Sequence, residues 1–225
     1  MARLTLRDGM VLEDYGKPYI VAEVNSSHNG DVDLARAMVD AAAEAGCHCV
    51  KFQSWSAESL YAAEYYKENP ISKRFFLRFS LSEEELKSMA NYCRQQGIQF
   101  SSTPYSKREV DFLLDECGAP FVKIASMDLN NYPYLRYVGK KNAPIVLSTM
   151  EEVKKAVETI EEVGNSQICL LHCISIYPPD LNTIHLNNII GLRDLFPNYP
   201  IGFSDHSIGC EIANAATALG AVLIE

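Results

Sequence analysis

The chain has 225 residues, 48% of them hydrophobic and 22% charged, which is the make-up of a large globular domain, expected to span 1–225. A formal net charge of −9 opposes nucleic-acid phosphates and anionic lipid, and no basic patch is large enough to reverse it. With no apolar run near the roughly 20 residues of a membrane span, no secretory signal, and seven scattered cysteines without CxxC pairs, the expectation is a cytoplasmic protein with reduced thiols.

Short β-rich runs follow one another along the chain: Tyr19–Val24, Cys49–Trp55, Gln99–Pro104, Phe121–Ser126, Ile145–Thr149, Ile168–Cys173, Ile201–His206 and Ala221–Glu225. Each is followed by a helical pattern or a longer connection, and no hairpin turn joins two of them, so the series reads as successive βαβ units. Eight such strands predict a (β/α)8 TIM barrel.

The first helix is predicted to start at the cap Asp31, to bury a stripe of Leu34, Met38 and Ala41 or Ala42, and to end at Gly46. Cys47, His48 and Cys49 follow it directly. Three adjacent residues entering a strand point to alternate faces and cannot close round one ion, so burial is expected of them. Between the second strand and its helix, the insertion Ser56–Leu81 carries Tyr61, Tyr65, Tyr66, Phe75, Phe76 and Phe79 and reads as a lid or an oligomer contact. The next helix, near Ser82–Gln96, opens with the capping box Ser82 and Glu85 and buries Leu86, Met89, Ala90 and Cys93. Further helices are predicted near 106–117, 151–163 and 207–219. The chain stops at the end of the eighth strand, so the barrel is expected to lack its last helix.

Barrel active sites form at the C-terminal ends of the strands, which gives weight to polar residues there. Glu23 ends Tyr-Ile-Val-Ala-Glu, Lys51 and Gln53 sit two apart in the second strand, and Lys123 and Ser126 end the fourth. Ser148 and Thr149 end the fifth, and Ser204 and His206 sit two apart in the seventh. Alternation puts Lys51 with Gln53, and Ser204 with His206, on common faces, with Phe52 and Phe203 turned the opposite way. Two buried ammonium groups need a compensating anion, and serine hydroxyls suit the oxygens of a phosphate or carboxylate. The same lysines also fit a structural network with Glu23 or Asp128, or a Schiff-base aldolase acting on pyruvate. His206 fits a metal ligand or a hydrogen-bonded structural histidine. His28 either shapes the mouth or occupies a solvated turn.

With these residues in order, the chain resembles the N-acetylneuraminate synthase family, including its legionaminic, pseudaminic and spore-coat-polysaccharide relatives. The resemblance rests on Ala22-Glu23-Val24 with His28-Asn29-Gly30, Lys51-Phe52-Gln53, Ser102-Thr103-Pro104, Lys123-Ile124-Ala125-Ser126, Leu171-His172-Cys173 with Tyr177-Pro178, and Ser204-Asp205-His206. It implies condensation of phosphoenolpyruvate with an N-acylated hexosamine to a nonulosonic acid, with release of phosphate. Lys51, Lys123, Ser126, Ser148, Ser175 and Ser204 would hold phosphoenolpyruvate; Gln53, Asp128 and Tyr177 would face the sugar. Glu23 would be the acidic catalytic residue, and His206 one of two histidines on manganese or magnesium. The resemblance also implies a homodimer, with the second histidine and a C-terminal antifreeze-like domain beyond Glu225. Asn25-Ser26-Ser27, Ser175, Asp128 and the direct run of Met150-Glu151-Glu152 into a helix depart from the family's usual pattern. A sugar- or phosphate-binding barrel without catalysis is the non-enzyme alternative.

Overall fold

The computed structural model describes residues 1–149 and 152–225; Met150 and Glu151, and with them the expected direct run into the next helix, lie outside the described residues. The N-terminal segment differs from the sequence reading, which had no hairpin. Strands β1 (Arg3–Thr5) and β2 (Val11–Glu13) pair antiparallel, Leu4 facing Leu12. Leu4, Leu6 and Leu12 are buried while their neighbours face water, the period-2 pattern of a sheet with one wet face. The turn carries Gly9 at φ +87°, a conformation that suits glycine.

The remaining strands are β3 (Tyr19–Asn25), β4 (Cys49–Ser54), β5 (Gln99–Pro104), β6 (Val122–Ile124), β7 (Ile145–Thr149), β8 (Ile168–Cys173), β9 (Ile201–Ser204) and β10 (Leu223–Ile224). Among the described residues they form an eight-stranded sheet in the order β5-β4-β3-β10-β9-β8-β7-β6. First and last strands of the series are parallel neighbours, Leu223 opposite Tyr19 and Ile224 opposite Ile20. This succession is that of the expected (β/α)8 barrel fold. The chain divides into two compact units, Ala22–Val122 and Met1–Val21 with Lys123–Glu225.

In the unit Ala22–Val122, helix α1 (Val32–Glu44) is capped by Asp31, whose carboxylate accepts from the Asp33 and Leu34 amides at 2.8 and 3.1 Å. Its buried face is Ala35, Val39 and Ala42, turned by about one position from the predicted stripe, with Leu34 exposed. The insertion forms three helices, α2 (Ala57–Leu60), α3 (Ala63–Glu68) and α4 (Pro70–Phe79). Their aromatic rings pack on one another and on Trp55, whose ring meets Phe76 edge-on at 5.2 Å. A side chain at Gly30, in the loop after β3, would collide with the Arg78 carbonyl oxygen, so glycine lets the end of the insertion lie against that loop. Helix α5 (Glu83–Gln95) has the predicted capping box and the predicted buried face. Helix α6 (Lys107–Asp111) runs on through a wider helical turn, Phe112–Cys117, and ends at Gly118 with φ +71°. Phe52 is fully buried and stacks on Phe100 at 5.5 Å.

In the other unit, α7 (Tyr132–Gly139) and α9 (Asn188–Leu195) join the series without having been predicted, and α8 (Val153–Glu161) and α10 (Glu211–Ala218) are shorter than predicted. Arg193 on α9 ties the hairpin in place. Its guanidinium reaches the Asp14 carboxylate at 3.5 Å and donates to the carbonyls of Leu219 and Gly220 at 3.2 and 3.0 Å. Phe203 is buried, as expected. Gly202 admits the closest packing: a Cβ there would lie 2.6 Å from both Leu171 Cδ2 and the Leu223 carbonyl oxygen. Gly202→Ala is therefore expected to destabilise the protein by about 1–3 kcal/mol in urea unfolding; an unchanged midpoint would show that the strands yield there.

Candidate active site

The unit Ala22–Val122 holds a cluster at the ends of β3, β4 and β5. Lys51 is buried, 3% of its side chain exposed, and its ammonium pairs with the Glu23 carboxylate and donates to Thr103 Oγ1 at 3.0 Å. An isolated buried ammonium is strongly disfavoured, so the carboxylate and hydroxyl are what permit its burial. Gln53, two residues on, is half-buried and accepts from Trp55 Nε1 at 3.0 Å. Ser54 and Ser102 share a hydrogen bond at 2.5 Å. His28 is no solvated turn residue. It is buried, its Nδ1 accepts from the Gly30 amide at 3.1 Å, and burial lowers its pKa, so it shapes the loop after β3 as a neutral ring.

The second unit repeats the device with different residues. Lys123, 6% exposed, pairs with the Glu225 carboxylate at 2.9 Å rather than with Asp128. The same Glu225 oxygen accepts from Ser204 Oγ at 2.8 Å. Ser204 Oγ lies 3.4 Å from His206 Nε2, and His206 Nδ1 donates to the Ile174 carbonyl at 2.7 Å. Tyr177 stacks on the His206 ring, centroids 3.9 Å apart. Ser126 and Ser175 join their hydroxyls at 3.1 Å, and Ser148 is buried at the end of β7. Asp128 accepts from Asn131 at 3.3 Å through one oxygen. Its other oxygen is buried without a partner, and burial pushes the carboxyl above the usual carboxylate range.

The His206 tautomer that donates from Nδ1 leaves Nε2 with its lone pair, the form a metal ligand needs. One nitrogen is not a site. Among the described residues no group of three His, Cys, Asp or Glu side chains is gathered to hold an ion. Among the described residues this donor set alone does not complete a metal site. His172, from the Leu-His-Cys motif, is packed rather than presented: Nε2 donates to the Ile184 carbonyl at 2.6 Å and its ring meets Phe203 at 5.6 Å.

Sequence reasoning missed two partners, Thr103 and Glu225. Thr103 was visible only as part of a motif. Glu225 had a signal that went unused: Ile-Val-Ala-Glu and Val-Leu-Ile-Glu are both apolar runs followed by a glutamate, and each of these glutamates pairs with a lysine. Among the described residues no helix is long and apolar enough to cross a membrane. Removing Lys123 strands a buried carboxylate, so Lys123→Ala is expected to cost about 3–5 kcal/mol in denaturant unfolding. Lys123→Met combined with Glu225→Gln should regain most of that loss; equal losses in the single and double variants would mean the pair is not the cause.

The NeuB family model matches residues 38–225. An uncharacterised protein of Methanocaldococcus jannaschii is 39% identical over 93% of this chain and 62% of its own length. An N,N'-diacetyllegionaminic acid synthase of Legionella pneumophila is 36% identical over 92% of this chain and 62% of its own. The chain thus spans about three fifths of the curated relatives it matches. Among solved structures, N-acetylneuraminic acid synthetase from Leptospira borgpetersenii, in complex with citrate, superposes with a TM-score of 0.89 at 30% identity, covering 99% of this chain and 76% of that one. The DAHP synthase of Thermotoga maritima, 18% identical with a TM-score of 0.69 over 93% of this chain and 59% of its own, shares the fold. On the family match and these relatives together, the chain belongs to the NeuB family.

Proposed function

We propose that the protein condenses phosphoenolpyruvate with an N-acylated hexosamine, giving a sialic-acid-type nine-carbon 2-keto acid and inorganic phosphate. The observation that supports this most is the repeated strand-end device: Lys51 with Glu23 and Thr103, and Lys123 with Glu225 and Ser204, in a NeuB-family chain. Lysines and hydroxyls so placed are donors for phosphate and carboxylate oxygens.

In this reading C3 of phosphoenolpyruvate attacks the aldehyde carbon of the open-chain sugar, and the new alkoxide takes a proton. Water then adds to the cationic C2, and the tetrahedral carbon expels phosphate by C–O cleavage, leaving the ketone. Lys51 and Lys123, with Ser126, Ser148, Ser175 and Ser204, hold the anionic groups and oppose the charge that moves between them. Glu23, 29% exposed beside Lys51, takes one proton of the attacking water and supplies the one the alkoxide needs, and the second water proton leaves with the phosphate. Gln53, Asp128 and Tyr177 face the sugar. The unpartnered oxygen of Asp128 gains a hydrogen bond when a sugar hydroxyl reaches it.

A Schiff-base aldolase needs a neutral lysine amine as nucleophile. Both strand-end lysines instead give their ammonium groups to carboxylates. Incubation with pyruvate and borohydride is expected to leave the mass unchanged; an adduct on Lys51 or Lys123 would support the aldolase.

Phosphate release is the direct test. With protein expressed from its full coding sequence, phosphoenolpyruvate, and Mn2+ or Mg2+ added or omitted, release is expected only when an N-acylated hexosamine is present. No sugar-dependent release with any hexosamine sinks the proposal. Lys51→Ala and Lys123→Ala should each weaken phosphoenolpyruvate binding by roughly tenfold or more, the worth of a charge-assisted hydrogen bond. Unchanged calorimetric affinity in both would remove them from the anion site.

A further inference from the structure

Within the unit that contains Lys123–Glu225, a cleft of about 590 Å3 opens between α8 and α9. Helix α8 packs on α7, while α9 packs on β8 and β9, and the space between α8 and α9 is left unfilled. Its size is that of a small-molecule site. Thr149 lies at its floor, and strand alternation turns Thr149 to the opposite face of β7 from Ser148. The cleft therefore stands behind the hydroxyl proposed to hold phosphoenolpyruvate, on the helix side of the strands.

Gly191, inside α9, lines this cleft. Glycine is the poorest helix former after proline, and a glycine within a helix calls for a packing or functional reason. Packing supplies none here. A Cβ at Gly191 would meet nothing within 4 Å, and the residue is not among those with positive φ. What a side chain at 191 would do is occupy the cleft.

The lining has a definite chemistry. Val153, Ile174, Leu192 and Leu195 give it apolar walls. His172, only 4% exposed, donates from Nε2 to the Ile184 carbonyl, and burial lowers its pKa, so the ring is neutral. Its Nδ1 thus keeps a lone pair and has no hydrogen-bond partner among the described residues. Thr149 gives its proton to the Leu171 carbonyl at 2.9 Å, which leaves its oxygen as an acceptor. Glu152 adds a carboxylate, and no lysine or arginine is among the described residues of the lining. Acceptors beside an unmatched carboxylate suit a ligand that donates hydrogen bonds and carries positive charge.

We propose that the cleft between α8 and α9 is a second ligand site, and that it takes a small apolar amine. The ammonium group answers Glu152 and the acceptors of His172 and Thr149, and the hydrocarbon part lies along Ile174, Leu192 and Leu195. The site does not depend on the condensation reading, and its occupation leaves the phosphoenolpyruvate groups free.

Calorimetry on protein expressed from its full coding sequence tests this with 2-phenylethylamine and with phenylacetate, which offers the same ring and the opposite charge. The amine is expected to bind with a Kd of about 1 mM or below, and phenylacetate at least about tenfold more weakly. Gly191→Leu fills the cleft. It should weaken the amine at least about tenfold, with a melting temperature no lower than the parent's and an unchanged affinity for phosphoenolpyruvate. Leu195→Lys, at a position 74% exposed, puts a cation at the rim and should weaken the amine while strengthening phenylacetate. No amine binding up to about 10 mM overturns the site. Amine binding untouched by both variants places it elsewhere and overturns it too. Phenylacetate binding as tightly as the amine in the parent protein, an anion held at the first turn of α8, overturns the ligand class.

Discussion

A lysine ammonium at the end of a buried strand is the constraint around which the polar part of this molecule is arranged. Taken from water alone, such a group is too costly to keep charged in a protein interior. Each compact unit meets the cost with a glutamate: Glu23 pairs with Lys51, which also donates to Thr103, and Glu225 pairs with Lys123 while accepting from Ser204. Burying a matched pair is tolerable where burying either member is not.

Once the pairs exist, the neighbouring groups follow from them. Ser204 is oriented by Glu225, His206 stands beside Ser204, and Tyr177 lies on His206. The hydroxyl and ring contacts thus run outward from a pair of charges, and the Ile174 carbonyl holds His206 from the other side. Precise placement of this kind is what a site for a small anion requires, because hydrogen bonds weaken steeply when their geometry departs from the preferred one.

The strands were legible where they are long. Runs such as Ile145–Thr149 and Ile168–Cys173 have observed bounds equal to the predicted ones, because most of their residues are apolar or β-branched, and Gln99–Pro104 keeps its predicted bounds with a more polar composition. The hairpin β1–β2 was missed because three-residue strands are too short to show a period, although Asp8-Gly9 marked its turn. Helix α9 was missed because Gly191 interrupts it, and α7 because three tyrosines and a proline within eight residues read poorly as helix. On α1 the small residues Ala35 and Ala42 took the inner face with Val39, and the larger Leu34 was left outside. Polar site positions were legible because lysine and serine break apolar strands. Their partners were not, since Lys123 and Glu225 are brought together by the fold and nothing local in the sequence links them.

The pairing of the strand-end lysines has a further consequence for how an anion would arrive. Each ammonium is neutralised by its own carboxylate, so from a distance neither lysine projects much positive potential, and the chain as a whole carries a formal charge of −9. Long-range steering, which speeds association where a cleft presents unbalanced charge, would work against a negatively charged ligand here. Dissolved salt, by shortening the reach of that repulsion, would hasten the encounter rather than slow it. Discrimination would then be made at contact, where individual hydroxyls and ammonium protons can be counted one by one.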